Sequence, residues 1–482
     1  MVDTKTTPDS INEPASEGNT IYIDPAKEKA ALRKFDKYLL PVALVFLVMS
    51  SLDRSNIGNA RVFGLDEDLG LHGGQFGNIN TVFFVTFIVF ETPWVMAVNR
   101  FGPNRALGTA LVLWSMVTLG TGFIQTYGQA LATRILLGAC EAGVSPGFAF
   151  LFATIYPRSS TAKRIMMGNL ANTLAGAFGG LFAYGVQQMG TRRGLHAWRW
   201  LFIIEGCGTL FIGGLCWFFL PRSPENAWFL TEEDKEVMRL RKQKNATFRG
   251  EEEFRSKYVK MAFKDPFIYV MGAGFFFSSV AITGFNVFLP TIIKGLGYTS
   301  LRVNYMTIPV YVVGAISLII QSYFSDKFQQ RALFLVGSAV PVVTGYLICV
   351  GTSSGAAGYV AMFILSLATN LVPDQKRSVA LPVFYSIGNL SGLVSSQLYP
   401  TQTGPRYIIG NSVSAGLECV AASFFIAGWF LLRRRNMKKE KLIAEGVTTN
   451  GLEGDRALGF KYAVQLDVLV NFTYVVLKTS IP

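Results

Sequence analysis

The chain has 482 residues, 50% of them hydrophobic and only 16% charged, a balance that excludes a soluble globular protein, which needs more polar residues to cover its domains. Its net charge of +13 does not point to nucleic acid, because Lys and Arg cluster in alternate loops beside apolar spans that no soluble nucleic-acid binder carries. The five cysteines (Cys140, Cys207, Cys216, Cys349, Cys419) fall in hydrophobic segments without metal-ligand spacing, so they read as small buried residues and no metal is expected.

Residues 1–36 are polar, lack the apolar core and cleavage site of a signal peptide, and are expected to be a disordered cytoplasmic tail. Twelve apolar spans follow, near 37–59, 76–98, 105–124, 130–156, 165–189, 200–220, 267–290, 303–324, 332–351, 356–372, 378–399 and 408–432. The expectation is an all-α polytopic membrane protein of two six-helix bundles, 37–220 and 267–432. They are joined by a charged cytoplasmic linker, 221–266, and followed by a cytoplasmic tail, 433–482.

Orientation follows from charge. Arg100 and Arg105, Arg158, Lys163 and Arg164, the linker, Lys327 and Arg331, Lys376 and Arg377, and the Arg433–Arg435 run all fall on one side. That side is cytoplasmic by the excess of positive charge, and both termini lie on it. Arg192 and Arg193 are the exception.

The first span is the most informative. Its apolar part, Tyr38–Leu52, is about 15 residues, short of the roughly 20 that cross a bilayer, so the helix is expected to continue through Asn56 and carry Asp53 and Arg54 inside the membrane. Ionisable groups there are costly and mark substrate or proton paths; the alternative is a helix that stops at Leu52 with the pair among headgroups. In the fourth span Arg134, Gly138 and Glu141 share one face, since seven residues make nearly two turns. At 1.5 Å per residue, Asp53, Arg54 and Arg134 fall at similar depth in the outer half, with Glu141 nearer the centre.

The halves echo each other: Asn99, Arg100, Gly102 and Arg105 form a basic turn after span 2, and Asp326, Lys327 and Arg331 form its counterpart after span 8. Duplicated bundles with a midplane site between them are a common carrier architecture. With these two turns the chain resembles the major facilitator superfamily, although Asn99 stands where an acid is usual and Gln329 replaces a glycine. The strings Asp53-Arg54-Ser55-Asn56-Ile57-Gly58-Asn59-Ala60, Arg134-Ile135-Leu136-Leu137-Gly138-Ala139-Cys140-Glu141-Ala142-Gly143 and Trp198 to Gly206 resemble the anion:cation symporters, above all the fungal allantoate permease branch. The resemblance covers roughly residues 35–460 and implies the major facilitator fold, proton-coupled import of an organic anion at the plasma membrane, and no cofactor beyond the proton gradient.

Resemblance and chemistry together nominate Arg54 to hold the anion, since a guanidinium stays charged and grips carboxylates bidentately. They nominate Asp53 and Glu141 for protons, with Arg134 tuning Glu141; the alternative is a static ion-pair network between spans 1 and 4. Asn172, Asn286 and Asn389 are further candidates for substrate, or for hydrogen bonds between helices. Glu205 is expected to pair with Arg199. The basic turns Asn99, Arg100, Gly102, Arg105, Asp326, Lys327 and Arg331 are expected to act in conformational change.

The expected partners are a small organic anion, protons and the lipid bilayer, with no nucleic acid, in a monomer. His72 and His196 lie in outer loops and no nucleophile–base pair appears, so an enzyme is not expected. An exporter of an acidic secondary metabolite stays open. So does a non-transporting sensor or inactive variant, because span 10 has only about 15 apolar residues before Pro373 where about 20 are needed. The resemblance implies a longer stretch here, with a segment missing between Ser366 and Leu367, and the β-prone tail 465–482 is equally unusual.

Overall fold

The computed structural model describes residues 23–251, 265–328, 331–367, 380–447 and 458. The expected features at Lys376, Arg377 and 465–482 lie outside the described residues.

The chain order is α1 (Pro25–Val62), the short α2 (Leu65–Asp68), α3 (Gln75–Phe101), α4 (Pro103–Thr121), α5 (Tyr127–Glu141), α6 (Val144–Ile155), α7 (Arg158–Gln188) and α8 (Ala197–Phe219). The linker helix α9 (Glu232–Glu251) precedes α10 (Pro266–Gly295), α11 (Ser300–Phe328), α12 (Arg331–Gly351), α13 (Gly355–Ser366), α14 (Ala380–Ser395) and α15 (Ile408–Ala444). Among the described residues, seven helical segments are long and apolar enough to cross a membrane. Only helices and closed barrels satisfy the backbone polar groups in lipid, and the described spans are helical.

Within the first half, α1 packs on α7, α3 on α5, and α4 on α8; in the second, α10 packs on α14 and α15, and α12 on α15. The halves meet through α1 with α10, α3 with α14, and α7 with α11. In span order these are 1 with 7, 2 with 11, and 5 with 8. Exchanging the halves maps that set onto itself, which is the signature of a pseudo-two-fold axis between duplicated bundles.

Two of the following local features depart from the sequence expectation, and the third, at span 10, is in line with it. First, span 4 is two helices, α5 and α6, divided at Ala142–Gly143. Pro146 has no N–H for the carbonyl of Ala142, and Trp94 presses on Gly143, where a Cβ would lie 2.6 Å from Trp94 Cβ. The Trp94 indole donates to the Ala139 carbonyl at 2.7 Å, where an unbroken helix would use the Gly143 N–H.

Second, α1 begins at Pro25 rather than near 37: Asp24 caps it by accepting from the Ala26 N–H at 2.9 Å. The helix is therefore about 57 Å long at 1.5 Å per residue, well beyond the roughly 30 Å hydrocarbon core. Its protruding turns dock on the linker. Phe35 and Tyr38 pack on Phe229 with ring centroids 5.1 Å apart, Lys34 pairs with Asp234, and Arg241 pairs with Glu28.

Burial acts to raise the Asp234 carboxyl, but hydrogen bonds from Lys34 and Thr231 outweigh it and hold the group below its ordinary 3.8. Its contribution is thus present above the ordinary value and lost as pH falls through the lower folded one. Asp234→Ala is expected to weaken the dock by about 1 kcal/mol, the size of a lost cap. Limited proteolysis of the linker should accelerate; an unchanged cleavage rate would leave the dock to Arg241 and the aromatic cluster.

Third, the described part of span 10, α13, has 12 residues. That is about 18 Å of helix, shorter than the roughly 30 Å hydrocarbon thickness. Just beyond it the Leu367 carbonyl accepts from Ser317 Oγ and from the Gln321 amide of α11.

Candidate functional site

The site grows from the middle of α1. Residues at 100° per step split its polar positions into two sets, with Ser50 and Arg54 one turn apart on one face and Asp53 and Asn56 on the next. The helix does continue past Leu52, so Asp53 is buried in protein.

On the first face Arg54 Nε lies 3.0 Å from Glu141 Oε1 of α5, and Ser50 Oγ donates to the same oxygen at 2.5 Å. Arg54 Nη2 donates to Ser50 Oγ at 2.9 Å, and the guanidinium stacks 5.7 Å over the Phe87 ring of α3. On the second face Asp53 accepts from the Trp114 indole and, at 3.2 Å, from Thr118 Oγ1, both on α4. Asn56 Nδ2 donates to Glu205 Oε2 of α8 at 2.6 Å and receives Asn59 at 3.1 Å.

Arg134 sits among the acids, with Asp53, Glu141 and Glu205 as its charged neighbours and Phe202 under its guanidinium at 5.7 Å. Asp53, Arg134, Glu141 and Glu205 are 0–6% exposed. Arg54 differs from them: its side chain keeps 25% of its surface. The guanidinium that directly pairs with Glu141 is thus Arg54, with Arg134 a more distant influence.

Glu205 does not pair with Arg199, which corrects the sequence reading. Six residues apart on a helix point about 120° away from each other. Arg199 Nη2 turns to Asp68 of α2 at 2.9 Å, Trp198 Nε1 joins the same oxygen at 2.9 Å, and Glu205 turns inward. Ser50, Trp114, Thr118 and Glu205 were not anticipated as site residues. The only signal for them was a polar atom in an apolar span, which most such residues satisfy on their own backbone.

A family model for the Major Facilitator Superfamily matches residues 43–396. The chain belongs to that superfamily. An uncharacterized transporter of Schizosaccharomyces pombe is 38% identical over 458 residues, covering 92% of this chain and 91% of that one. The high-affinity nicotinic acid transporter of Saccharomyces cerevisiae is 32% identical over 429 residues, covering 86% and 80%. The xylose transporter of E. coli, solved in a partially occluded inward-open conformation, shares the fold with a TM-score of 0.65 at 15% identity over 80% of this chain and 96% of that one.

In this transporter a narrow crevice of about 10 Å³ lies between the halves. Asn172 and Thr173 of α7 line it from one side, and Phe285, Asn286, Tyr311, Gly314 and Ser366 from the other. Asn172 also bonds to Ser51, and Tyr311 donates to the Asn286 carbonyl at 3.3 Å. Asn389 is not among these lining residues: its amide donates to Glu91 Oε2 at 3.3 Å and ties α14 to α3 across the halves.

The named ties between halves run from mid-depth to the end opposite the basic loops. Arg61 Nη1 donates to the Tyr399 carbonyl at 3.2 Å and stacks between Phe76 and Phe288, at 4.4 and 5.8 Å. Lys294 donates to the Val62 carbonyl at 3.3 Å, Gln397 to Asn78 at 3.1 Å, and Asn304 to Gln187 at 2.7 Å. This end is sealed.

Of the basic turns, Asn99, Arg100 and Arg105 are exposed, while Gly102 has φ +88° and a Cβ there would lie 2.7 Å from the Arg222 carbonyl, so the turn requires glycine. Lys327 is exposed; Asp326 and Arg331 lie at the end of α11 and start of α12, with side chains outside the described set.

Proposed function

We propose that the protein is a secondary active, proton-coupled symporter of a small organic anion, of the size and charge of nicotinate, pantothenate or allantoate. In this reading it works by alternating access as a monomer in the plasma membrane. The observation that carries the reading is the contrast at Arg54: it is the partly exposed cation of an otherwise buried charge network, and it shares Glu141 with no other guanidinium in direct contact.

A substrate carboxylate is suited to compete with Glu141 for that guanidinium, and a proton taken up by Glu141 would release Arg54 to the anion. Electroneutral exchange of this kind couples the two ligands without a cofactor. The ties between the halves at the end away from the basic loops support an inward-facing state, with Asn172 and Asn286 lining the crevice between the halves. The similarity to a nicotinic acid transporter is in keeping with an anionic cargo.

The test is uptake of labelled nicotinate, allantoate, pantothenate, biotin and short dicarboxylates in a transport-deficient yeast, at acidic and neutral external pH. Acid-stimulated uptake of one acid is expected. Net efflux driven by the gradient would favour an exporter of an acidic metabolite. Binding without flux would favour the non-transporting reading, for which the short apolar run of span 10 is the specific motive.

A further inference from the structure

The network holds three carboxyls, Asp53, Glu141 and Glu205, and two guanidiniums, Arg54 and Arg134. Arg54 and Ser50 are committed to Glu141. That leaves Arg134 as the cation near both Asp53 and Glu205, and Asn56, one turn from Asp53 on the same side of α1, holds Glu205 beside it at 2.6 Å. Two carboxylates have no donor between them, so a hydrogen bond joining them requires a proton, and like charges at close range do not both stay ionised when buried.

The donors fix where the proton belongs. Asp53 Oδ2 receives Trp114, Asp53 Oδ1 receives Thr118, and Glu205 Oε2 receives Asn56. The fourth oxygen, Glu205 Oε1, is buried without any donor, and Arg134 Nη2 nearby is likewise unpartnered.

We propose that Glu205 is a further proton-binding residue of this transporter: its Oε1 carries a resident proton and donates it to Asp53, giving one proton shared by the two acids across α1 and α8. Five charged groups then sum to zero. The groups facing the pair are Asn56 from α1, Trp114 and Thr118 from α4, and Arg134 and Glu141 from α5. Loss of the proton to water leaves Arg134 alone between two carboxylates, which links the packing of α1 against α8 to the proton. The ligand class of the site is the proton itself.

The inference deepens the proton-coupled reading, yet its test does not depend on transport. Infrared difference spectra of the purified full chain, wild type against Glu205→Gln at neutral pH in H₂O and D₂O, should show loss of one deuterium-sensitive protonated-carboxyl C=O band. Asn56→Leu, which removes the donor to Oε2, should shift that band without abolishing it. If the Gln variant does not fold, the Asn56→Leu shift alone decides. A spectrum in which neither change moves the protonated-carboxyl region overturns the assignment.

A chain that shows the band but takes up anions without a proton gradient would sink the symport reading and spare this one. The reverse result, acid-driven uptake with no such band, would do the opposite. In pH-gradient-driven uptake Glu205→Gln is expected to lose the acid stimulation while keeping counterflow exchange, a split that loss of packing alone does not give.

Discussion

Arg54→Ala is expected to abolish uptake and to destabilise the folded chain together. Glu141 is fully buried, and its direct cation is Arg54 at 3.0 Å. Removing one partner of a buried pair leaves an uncompensated charge, a loss of about 3–5 kcal/mol that protonation of the survivor only partly relieves. The double variant Arg54→Ala, Glu141→Gln removes the stranded charge as well. Its thermal unfolding should return toward wild type while uptake stays absent. If the double variant recovers both, Arg54 serves to balance Glu141 and does not meet the anion. If Arg54→Ala alone transports normally, the anion site lies elsewhere in the crevice. Arg54→Lys should retain most of the stability but little of the affinity, because an ammonium lacks the planar fork that grips a carboxylate.

Gly58→Ala is expected to trap the transporter with the far end open. A Cβ at Gly58 would stand 2.1 Å from the Val287 carbonyl oxygen of α10, closer than any real contact, and backbone cannot yield there unless the halves separate. Gly180→Ala meets the Asn304 carbonyl at 2.7 Å and Thr307 Oγ1, a side-chain atom that can rotate away, so its effect should be smaller.

A shift of about 5.5 kcal/mol carries a two-state equilibrium from 1:99 to 99:1, and even a quarter of it changes the ratio of sealed to open states about tenfold. The readout is the distance between spin labels at His72→Cys and Gln402→Cys, two positions of opposite halves flanking the contact of Gly73 with Gln402, in a background lacking Cys207 and Cys419. The label distance should lengthen and uptake should fall at least about tenfold, in step with that population. A distance unchanged from wild type in folded Gly58→Ala would mean that the closed seal is not built on this approach.

Much of the fold is legible in the sequence because the bilayer is a simple solvent. Apolar length, read residue by residue, locates the spans, and the side on which Arg and Lys gather orders the loops. The same local reading brings out Asp53, Arg54, Arg134 and Glu141, since an ionisable residue in an apolar run needs a reason to be there. It fails at three backbone features: the break at Gly143, the extension of α1 back to Pro25, and the handover of the Leu367 carbonyl to α11. Each is decided by a neighbour the local sequence does not contain, respectively Trp94, the linker at Phe229 and Asp234, and Ser317 with Gln321.

Which acid meets which base was likewise left to the tertiary structure. Spacing gave Arg134 and Glu141 a common helical face, and short separation made Arg199 a plausible partner for Glu205. The rotation of α1 between α3, α4, α5 and α8 decides otherwise. It turns Arg54 to Glu141, Asp53 to Trp114 and Thr118, and Asn56 to Glu205, while Arg199 leaves for Asp68. Hydropathy and charge are sums along the chain and survive any rotation of a helix about its axis. A hydrogen bond depends on that rotation at about 100° per residue, so the sequence by itself determined that this chain carries buried charge across a membrane, and only the packed helices decided how that charge is shared.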